Sequence, residues 1–388
     1  MGGLAELIVR IGQGRDAVKP FLIASAGLAA VCWRPVFPMD ILITHTNLTR
    51  GGGAESYLLN LVHGFCAAGD RVHLVVSKRD PALALPTACT VERVRAGWVP
   101  QKLRSWYLDR KFRQRLAAYP DWASVSLARN SGHDVAINGG THLGFLRAMQ
   151  RQSSWGDRVQ LAVERRAYAG SGRIVAHSQL VAAELRADYG VADPKIAVIY
   201  PPVDRERFRF ELHGRRNEFR ARWKLPLDRK LILFPSTGHE RKGLPLVAEA
   251  MRLLPKGRYA LVVAGRAAPK LTEGIEVISL GFVDALEEVY AACDLTVLPS
   301  IYEPFGLVYA ESALCGTPVI FGEKAGAGEV LPDALGVCLR TRTPEALAEL
   351  IVARCEASAV EAGHEIAVPT IAQHIEAFRR VLNEARNI

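Results

Sequence analysis

Cysteine pairs, membrane-length apolar runs and acidic metal pairs are all missing from this chain. Its seven cysteines (Cys32, Cys66, Cys89, Cys293, Cys315, Cys338, Cys355) are odd in number and scattered, with no C-x-x-C among them. That excludes a disulfide framework and a zinc site of the usual spacing, and it fits a reducing cytoplasm. The apolar run from Phe21 to Trp33 stops at thirteen residues, short of the roughly 20 needed to cross a bilayer, and no A-x-A cleavage pattern follows it. There is no G-x-G-x-x-G, no Walker A sequence and no D-x-D, so a dinucleotide loop, a P-loop and an acidic pair for Mg²⁺ are all unsupported. Internal repeats and low-complexity tracts are absent as well.

What is present sets the scale. With 388 residues, 49% of them apolar, the chain can bury two cores and suits two domains of roughly 150–200 residues. The formal charge of +9 asks for an anionic partner, and nucleic acid, an acidic membrane face or a phosphorylated sugar would each satisfy it. Residues 1–38 read as an N-terminal extension: a strand, Asp40 to His45, follows Met39 directly, which makes Met39 the expected functional start. A membrane-surface anchor is the rival reading of the extension.

From Met39 onward, short apolar runs alternate with helical periodicity, the pattern of an α/β chain with parallel sheets. The first strand leads into Thr49, Arg50, Gly51, Gly52, Gly53, Ala54 and Glu55, then a helix bearing Tyr57, Leu58, Leu61, Val62 and Phe65, then a strand from Asp70 to Val76. The glycines permit a tight turn, and a structural turn or a ligand loop would both need one. Further strands are expected at 123–128, 135–137, 173–178 and 196–200, after which Pro201 and Pro202 mark the passage to a second α/β set. That set runs through Lys230–Pro235, Tyr259–Ala264 and Ile275–Ile278 to Leu295–Pro299, and a last helix is expected from Thr370 to Ala385. The expected divisions are therefore 39–205, 206–369 and a C-terminal helix, 370–388, packing back on the first domain.

In open parallel sheets the carboxyl ends of the strands face the ligand crevice. Polar residues in the loops there become candidates. In the first half these are Asn138 to His142, with His142 foremost and His133 and Asp134 behind it; a lone histidine in such a place is often structural. In the second half the loop Ser236 to Gly243 holds Arg241 and Lys242 beside a helix start, either as a phosphate clamp or as two solvated bases. Glu303 and Glu311 follow, with seven residues between them. A helix beginning near Leu307 is expected to bury Leu307, Ala310, Ala313 and Leu314, which leaves Glu311 off that face and the N–H groups of Phe305, Gly306 and Leu307 free for an anion. Two carboxylates beside an anion would repel it, so their chemistry suits neutral hydroxyls, on a sugar and a ribose. A capping glutamate plus a surface glutamate is the plain alternative.

Between Arg93 and Arg115 eight Lys and Arg face one acid, Asp109, with Trp98, Trp106, Tyr107 and Phe112 interleaved. Such a segment suits an anionic membrane surface or an acidic acceptor. It equally suits the solvated side of a helix whose apolar stripe is Leu108, Phe112, Leu116 and Tyr119.

Taken together, residues 39–388 resemble the group 1 family of retaining glycosyltransferases. The resemblance is carried by Pro299 to Gly306 and on to Glu311, by Glu240-Arg241-Lys242-Gly243, by Gly51 to Glu55, and by Tyr200 to Phe208. The segment Asp134 to Leu146, with Glu164-Arg165-Arg166, is most similar to lipopolysaccharide-core sugar transferases. This resemblance implies the GT-B fold, two Rossmann-like domains with parallel sheets facing across a cleft, the first binding acceptor and the second the nucleotide sugar. It implies a metal-independent hexosyl transfer from a nucleotide-diphosphate sugar, a UDP-sugar in preference to a GDP-sugar, with no separate cofactor. The acceptor would be a glycan or a lipid-linked sugar in lipopolysaccharide core or other cell-surface polysaccharide synthesis. Glu303 would bind donor-sugar hydroxyls and Glu311 the ribose, Arg241 and Lys242 the pyrophosphate, and the backbone of Phe305, Gly306 and Leu307 the sugar and distal phosphate, with Gly52 and Gly53 at the donor loop. His142 would lie near the donor sugar, with Asp134 and His133 as alternatives for the catalytic group of the first domain.

Charge then becomes more informative. Residues 39–206 hold 22 Lys and Arg against 15 Asp and Glu, a net of +7, which favours an anionic acceptor or a cytoplasmic membrane face met through 93–115 over nucleic acid. A nucleotide-sugar epimerase or a phosphorylase of the same fold, and a non-catalytic basic peripheral membrane-binding protein, are the other functions these residues allow.

Overall fold

The apolar runs pair into two parallel sheets. The first contains β1 (Asp40–Leu48), β2 (Arg71–Arg79), β3 (Cys89–Arg93), β4 (Ala123–Ser126), β5 (Val135–Asn138), β6 (Arg173–Ala176) and β7 (Ile196–Val198), in the order β3-β2-β1-β4-β5-β6-β7. The second contains β8 (Lys230–Ser236), β9 (Tyr259–Gly265), β10 (Val277–Gly281), β11 (Leu295–Leu298), β12 (Val319–Gly322) and β13 (Gly336–Leu339), in the order β10-β9-β8-β11-β12-β13. The computed structural model describes residues 38–49, 52–269, 273–357 and 363–387. The expectations for the N-terminal extension, and for Arg50 and Gly51, lie outside the described residues.

Central strands such as Leu231–Phe234 are buried on both faces, as parallel strands covered by helices must be. The helices of the first half are α1 (Gly53–Ala67), α2 (Arg104–Leu116), α3 (His142–Ala148), α4 (Trp155–Gly170) and α5 (Gln179–Tyr189). Those that follow are α6 (Arg216–Arg222), α7 (His239–Lys242), α8 (Leu244–Leu253), α9 (Leu286–Ala292), α10 (Leu307–Leu314), α11 (Pro344–Glu356) and α12 (Ile371–Arg386). Several starts are set by side-chain caps: Ser154 with Asp157 and Thr370 with Gln373 form capping boxes, and Ser178 and Thr343 accept from backbone N–H groups of α5 and α11. The expected loop 236–243 is interrupted by the single turn of α7, whose last residues are Arg241 and Lys242.

The last helix, α12, leaves the second half and lies on α1. Ile375, Phe378 and Leu382 join the core made by Leu58, Leu61, Val62 and Phe65, the rings of Phe65 and Phe378 meet edge-on at 5.8 Å, and Tyr57 Oη lies 2.9 Å from His374 Nε2. The outgoing and returning chain segments run side by side: Val203 N–H donates to Pro369 O at 3.2 Å, and the Arg205 guanidinium donates to the carbonyls of Ile366 and Val368. Strand order reverses between β1 and β4 in one sheet and between β8 and β11 in the other, so each sheet opens a crevice beyond its carboxyl ends at that point.

Candidate active site

The two crevices make one cleft of about 580 Å³. From the first half it is lined by His45 in the carboxyl half of β1, Leu127 and Arg129 after β4, Gly139 to His142 after β5, His177 after β6, and Gly52 to Glu55 at the start of α1. From the second half come Thr237, Arg241 and Lys242 after β8 and Tyr302 to Val308 after β11.

Glu303 is the centre of the second wall. Its Oε2 lies 3.0 Å from Lys242 Nζ and 3.1 Å from Arg241 Nη1, with 13% of the side chain exposed. Burial alone would raise this carboxyl, but Lys242 and Arg241 outweigh it and hold Glu303 below the ordinary carboxylate range. The loop that carries it is tied on both sides: Ile301 N–H donates to Arg241 O at 2.9 Å, Glu303 N–H to Lys324 O at 2.8 Å, and Gly326 N–H to Glu303 O at 3.1 Å. Gly306 then starts α10 at φ 91°, where a Cβ would stand 2.8 Å from Glu303 Cγ and 2.5 Å from the Tyr309 ring. Only glycine fits that position. Within the described residues no protein acceptor meets the backbone N–H groups of Phe305, Gly306 and Leu307, so this end of α10 offers donors to a ligand.

On α10 the buried residues are Tyr309, Ala310, Ser312 and Ala313. The expected face is therefore rotated, with Leu307 on the cleft and Leu314 half-buried, because Tyr309 fills the core and its hydroxyl donates to Leu298 O at 2.8 Å. Glu311 stands off the cleft lining. It accepts from Tyr290 Oη at 3.1 Å, and burial raises its carboxyl, offset in part by Tyr290, Arg207 and Lys242.

His142 heads α3 on the first wall. Its Nε2 lies 2.8 Å from Asp157 Oδ1 on α4, and Asp157 is held down to about 2 by the Ser154 hydroxyl and N–H and by His142, so a fixed anion orients the ring. Behind it, the fully buried Glu164 accepts from His142 N–H at 3.2 Å, from Tyr189 Oη and from Arg129, whose other guanidinium nitrogen donates to Gly140 O. Arg129 adopts φ 56°, a strained conformation for a non-glycine residue.

Asp134 is not brought to the cleft. It precedes β5 at the opposite, amino edge of the sheet and accepts from Ser124 N–H at 2.7 Å and from Ser124 Oγ at 2.9 Å. A loop between parallel strands begins at the carboxyl edge but ends at the amino edge, so its early residues, Leu127 and Arg129, border the cleft and its last does not. His133 is buried, 2.9 Å from Thr44 Oγ1, and burial lowers it to about 4.

The walls touch where Tyr302 crosses to the first half. Its hydroxyl donates to Glu184 Oε2 at 2.7 Å and accepts from Thr141 N–H at 3.1 Å. Ser178 Oγ donates to Pro304 O at 2.6 Å, and Glu329 accepts from the N–H groups of Gln179 and Leu180 at 2.7 and 2.9 Å. A Cβ on Gly140 would stand 2.3 Å from Pro304 Cγ. Asp157, Glu184 and the Tyr302 hydroxyl escape the sequence analysis. The Ser154-x-x-Asp157 spacing signals a helix start, but nothing local signals its contact with His142.

Two doubly wound parallel sheets, opposed across a cleft with a cationic and N–H-rich second wall, define the GT-B class of glycosyltransferase. Comparison with known proteins agrees. Residues 215–356 match the family described as glycosyl transferases group 1, and residues 51–207 match glycosyltransferase family 4. A probable transglycosylase of Burkholderia thailandensis is 36% identical over 362 residues, covering 89% of this chain and 98% of that protein. Among solved structures, WaaG, a glycosyltransferase involved in lipopolysaccharide biosynthesis, superposes with a TM-score of 0.74 at 18% identity, over 89% of this chain and 94% of its own. Anabaena HepE in complex with UDP and glucose superposes with a TM-score of 0.62 at 19% identity, over 90% and 98%. These structural likenesses speak to the fold. The chain belongs to the group 1 glycosyltransferase family and is a glycosyltransferase.

Proposed function

We propose that this enzyme transfers a hexose, with retention of anomeric configuration, from a nucleotide-diphosphate sugar to a glycan or lipid-linked acceptor in the synthesis of lipopolysaccharide core or a related cell-surface polysaccharide. The observation that carries the proposal is the cluster of Arg241, Lys242 and Glu303 beside the open N–H groups of α10, in the same cleft as the Asp157-held His142. A departing diphosphate gathers negative charge while the sugar becomes oxocarbenium-like. Two cations and a helix N-terminus aimed at that charge stabilise it without reorganising, which is the task a divalent ion performs in other transferases. Once the diphosphate takes the cations, Glu303 is released to accept from sugar hydroxyls, and in this reading Glu311 takes a ribose hydroxyl. A UDP-sugar is favoured over a GDP-sugar by analogy with the UDP-bound Anabaena protein. The acceptor class is favoured by the likeness to WaaG and by the net +7 of residues 39–206.

A thermal-shift panel of UDP-, GDP- and ADP-sugars against the full chain tests this, because a ligand at 100 times its Kd that binds only the folded state adds about 2.7 kcal/mol. A shift that is largest with a UDP-sugar and unchanged by chelator, together with a product of retained anomeric configuration, is expected. No response to any donor would overturn the proposal.

A further inference from the structure

We infer that the outer face of the first half, formed by the segment after β3 with the starts of α2 and α4, docks on an anionic lipid bilayer. Three tryptophans distant in sequence begin the argument: Trp98 is 74% exposed, Trp106 45% and Trp155 54%. With Leu103 they make four of the seven large apolar side chains exposed among the described residues. Single exposed apolar residues need no explanation, whereas a concentration on neighbouring elements does. The Trp98 ring meets Tyr107 of α2 edge-on at 5.2 Å. Lys102, next to Leu103, lies against the start of α4, where a Cβ on Gly156 would stand 3.4 Å from Lys102 Cγ.

Charge on this face is sorted by sign. The acids of residues 93–115 and 147–166 are Asp109, Asp157 and Glu164, and each is turned inward: Asp109 to Ser131 and Arg113, Asp157 to His142, Glu164 to Arg129 and the His142 N–H. Arg95, Lys102, Arg110, Arg151, Arg158 and Arg165 remain exposed. A merely solvated helix face would mix both signs and would not expose tryptophan. Tryptophan favours the headgroup boundary, and each cation near an anionic leaflet strengthens binding roughly fivefold. A bilayer surface uses both features at once. The face also adjoins the cleft, since Trp155 and Asp157 share the first turn of α4 and Asp157 holds His142. A lipid-linked acceptor would therefore present its sugar at that rim, a link that rests on the transferase reading, whereas the docking does not.

Sedimentation of the full chain with vesicles of phosphatidylcholine, alone or mixed with phosphatidylglycerol, tests the inference. Binding to the anionic vesicles is expected to be at least about tenfold tighter and to fall as salt rises. A Trp98→Ala/Trp106→Ala/Trp155→Ala variant is expected to lose about tenfold through lost interfacial anchoring, while Leu227→Ala/Phe282→Ala, exposed elsewhere, keeps parental binding; circular dichroism and melting check that both fold. Equal recovery with the two vesicle types, or a triple variant that binds like the parent, would overturn the inference. So would retention on heparin without vesicle binding, which would mark a soluble acidic polymer as the partner. Donor-induced melting shifts are read separately, so loss of docking leaves the transferase reading intact and the reverse also holds.

Discussion

Replacing Glu303 by glutamine is expected to tighten the binding of free UDP while nearly abolishing transfer. The two effects have opposite sign because Glu303 holds the cations that a diphosphate needs: Lys242 Nζ at 3.0 Å and Arg241 Nη1 at 3.1 Å share one carboxylate oxygen. Each such pair carries about 5 kcal/mol of gross attraction at the effective dielectric of a partly buried site. Most of this is offset by desolvation, and the incoming diphosphate restores an anion in the same place. Ion pairs of modest exposure typically retain up to about 1 kcal/mol each in mutant cycles, so freeing two cations is worth roughly 1–2 kcal/mol, or about tenfold in Kd. Glutamine keeps the shape but accepts less strongly from sugar hydroxyls, and losing a contact that strengthens in the transition state costs about a hundredfold or more in turnover. Calorimetric titration with UDP and a transfer assay on one preparation, with melting as the control for folding, separate the effects. A folded variant whose UDP affinity is unchanged or weaker would refute this account of the cluster.

Gly306→Ala is expected to lower donor affinity and turnover together and to cost roughly 1–2 kcal/mol of stability, the usual penalty for a side chain in left-handed backbone. Its Cβ would also stand 2.8 Å from Glu303 Cγ; donor titration and denaturant unfolding check both effects. Acid is expected to destabilise the fold well above the carboxylate range. Burial lowers His45, His133 and His374 to about 4 and His177 to about 3, so below pH 6.5 the unfolded chain takes up protons that the folded chain refuses. Their stabilisation is complete above the unfolded value and is lost as pH falls towards the folded ones, with a limiting slope of about 1.4 kcal/mol per pH unit for each histidine. Denaturant midpoints measured between pH 7 and 4 report it, and a flat profile would count against buried neutral imidazoles.

Much of the architecture was legible because its signals are local. Runs such as Leu231 to Phe234, and glycines such as Gly69 and Gly190 at helix ends, mark strands and turns within a few residues. The second wall of the cleft was legible for the same reason: Arg241 and Lys242 end one strand-to-helix passage, and Glu303 lies in another. The edge strands β3 and β13 were missed since both are short and half-exposed. The supports of His142 were missed for a different reason. Asp157 and Glu164 reach it from another helix, and Tyr302 finds Glu184 across 118 positions, contacts that only the closed chain creates. Asp134 was misplaced because a pattern of polar residues shows that a loop is there, without showing at which edge of the sheet each residue comes to rest.

The return of α12 to α1 has a consequence for how the chain is made. Domains tend to fold as they emerge, the amino-terminal one first. Here the side of α1 that carries Leu58, Leu61, Val62 and Phe65 is closed by Ile375, Phe378 and Leu382, which leave the ribosome only after the strands of the second sheet have done so. The half that is born first must therefore wait, with an apolar flank uncovered, until the second sheet has been made, and its core is completed by a helix that its own sheet does not precede directly.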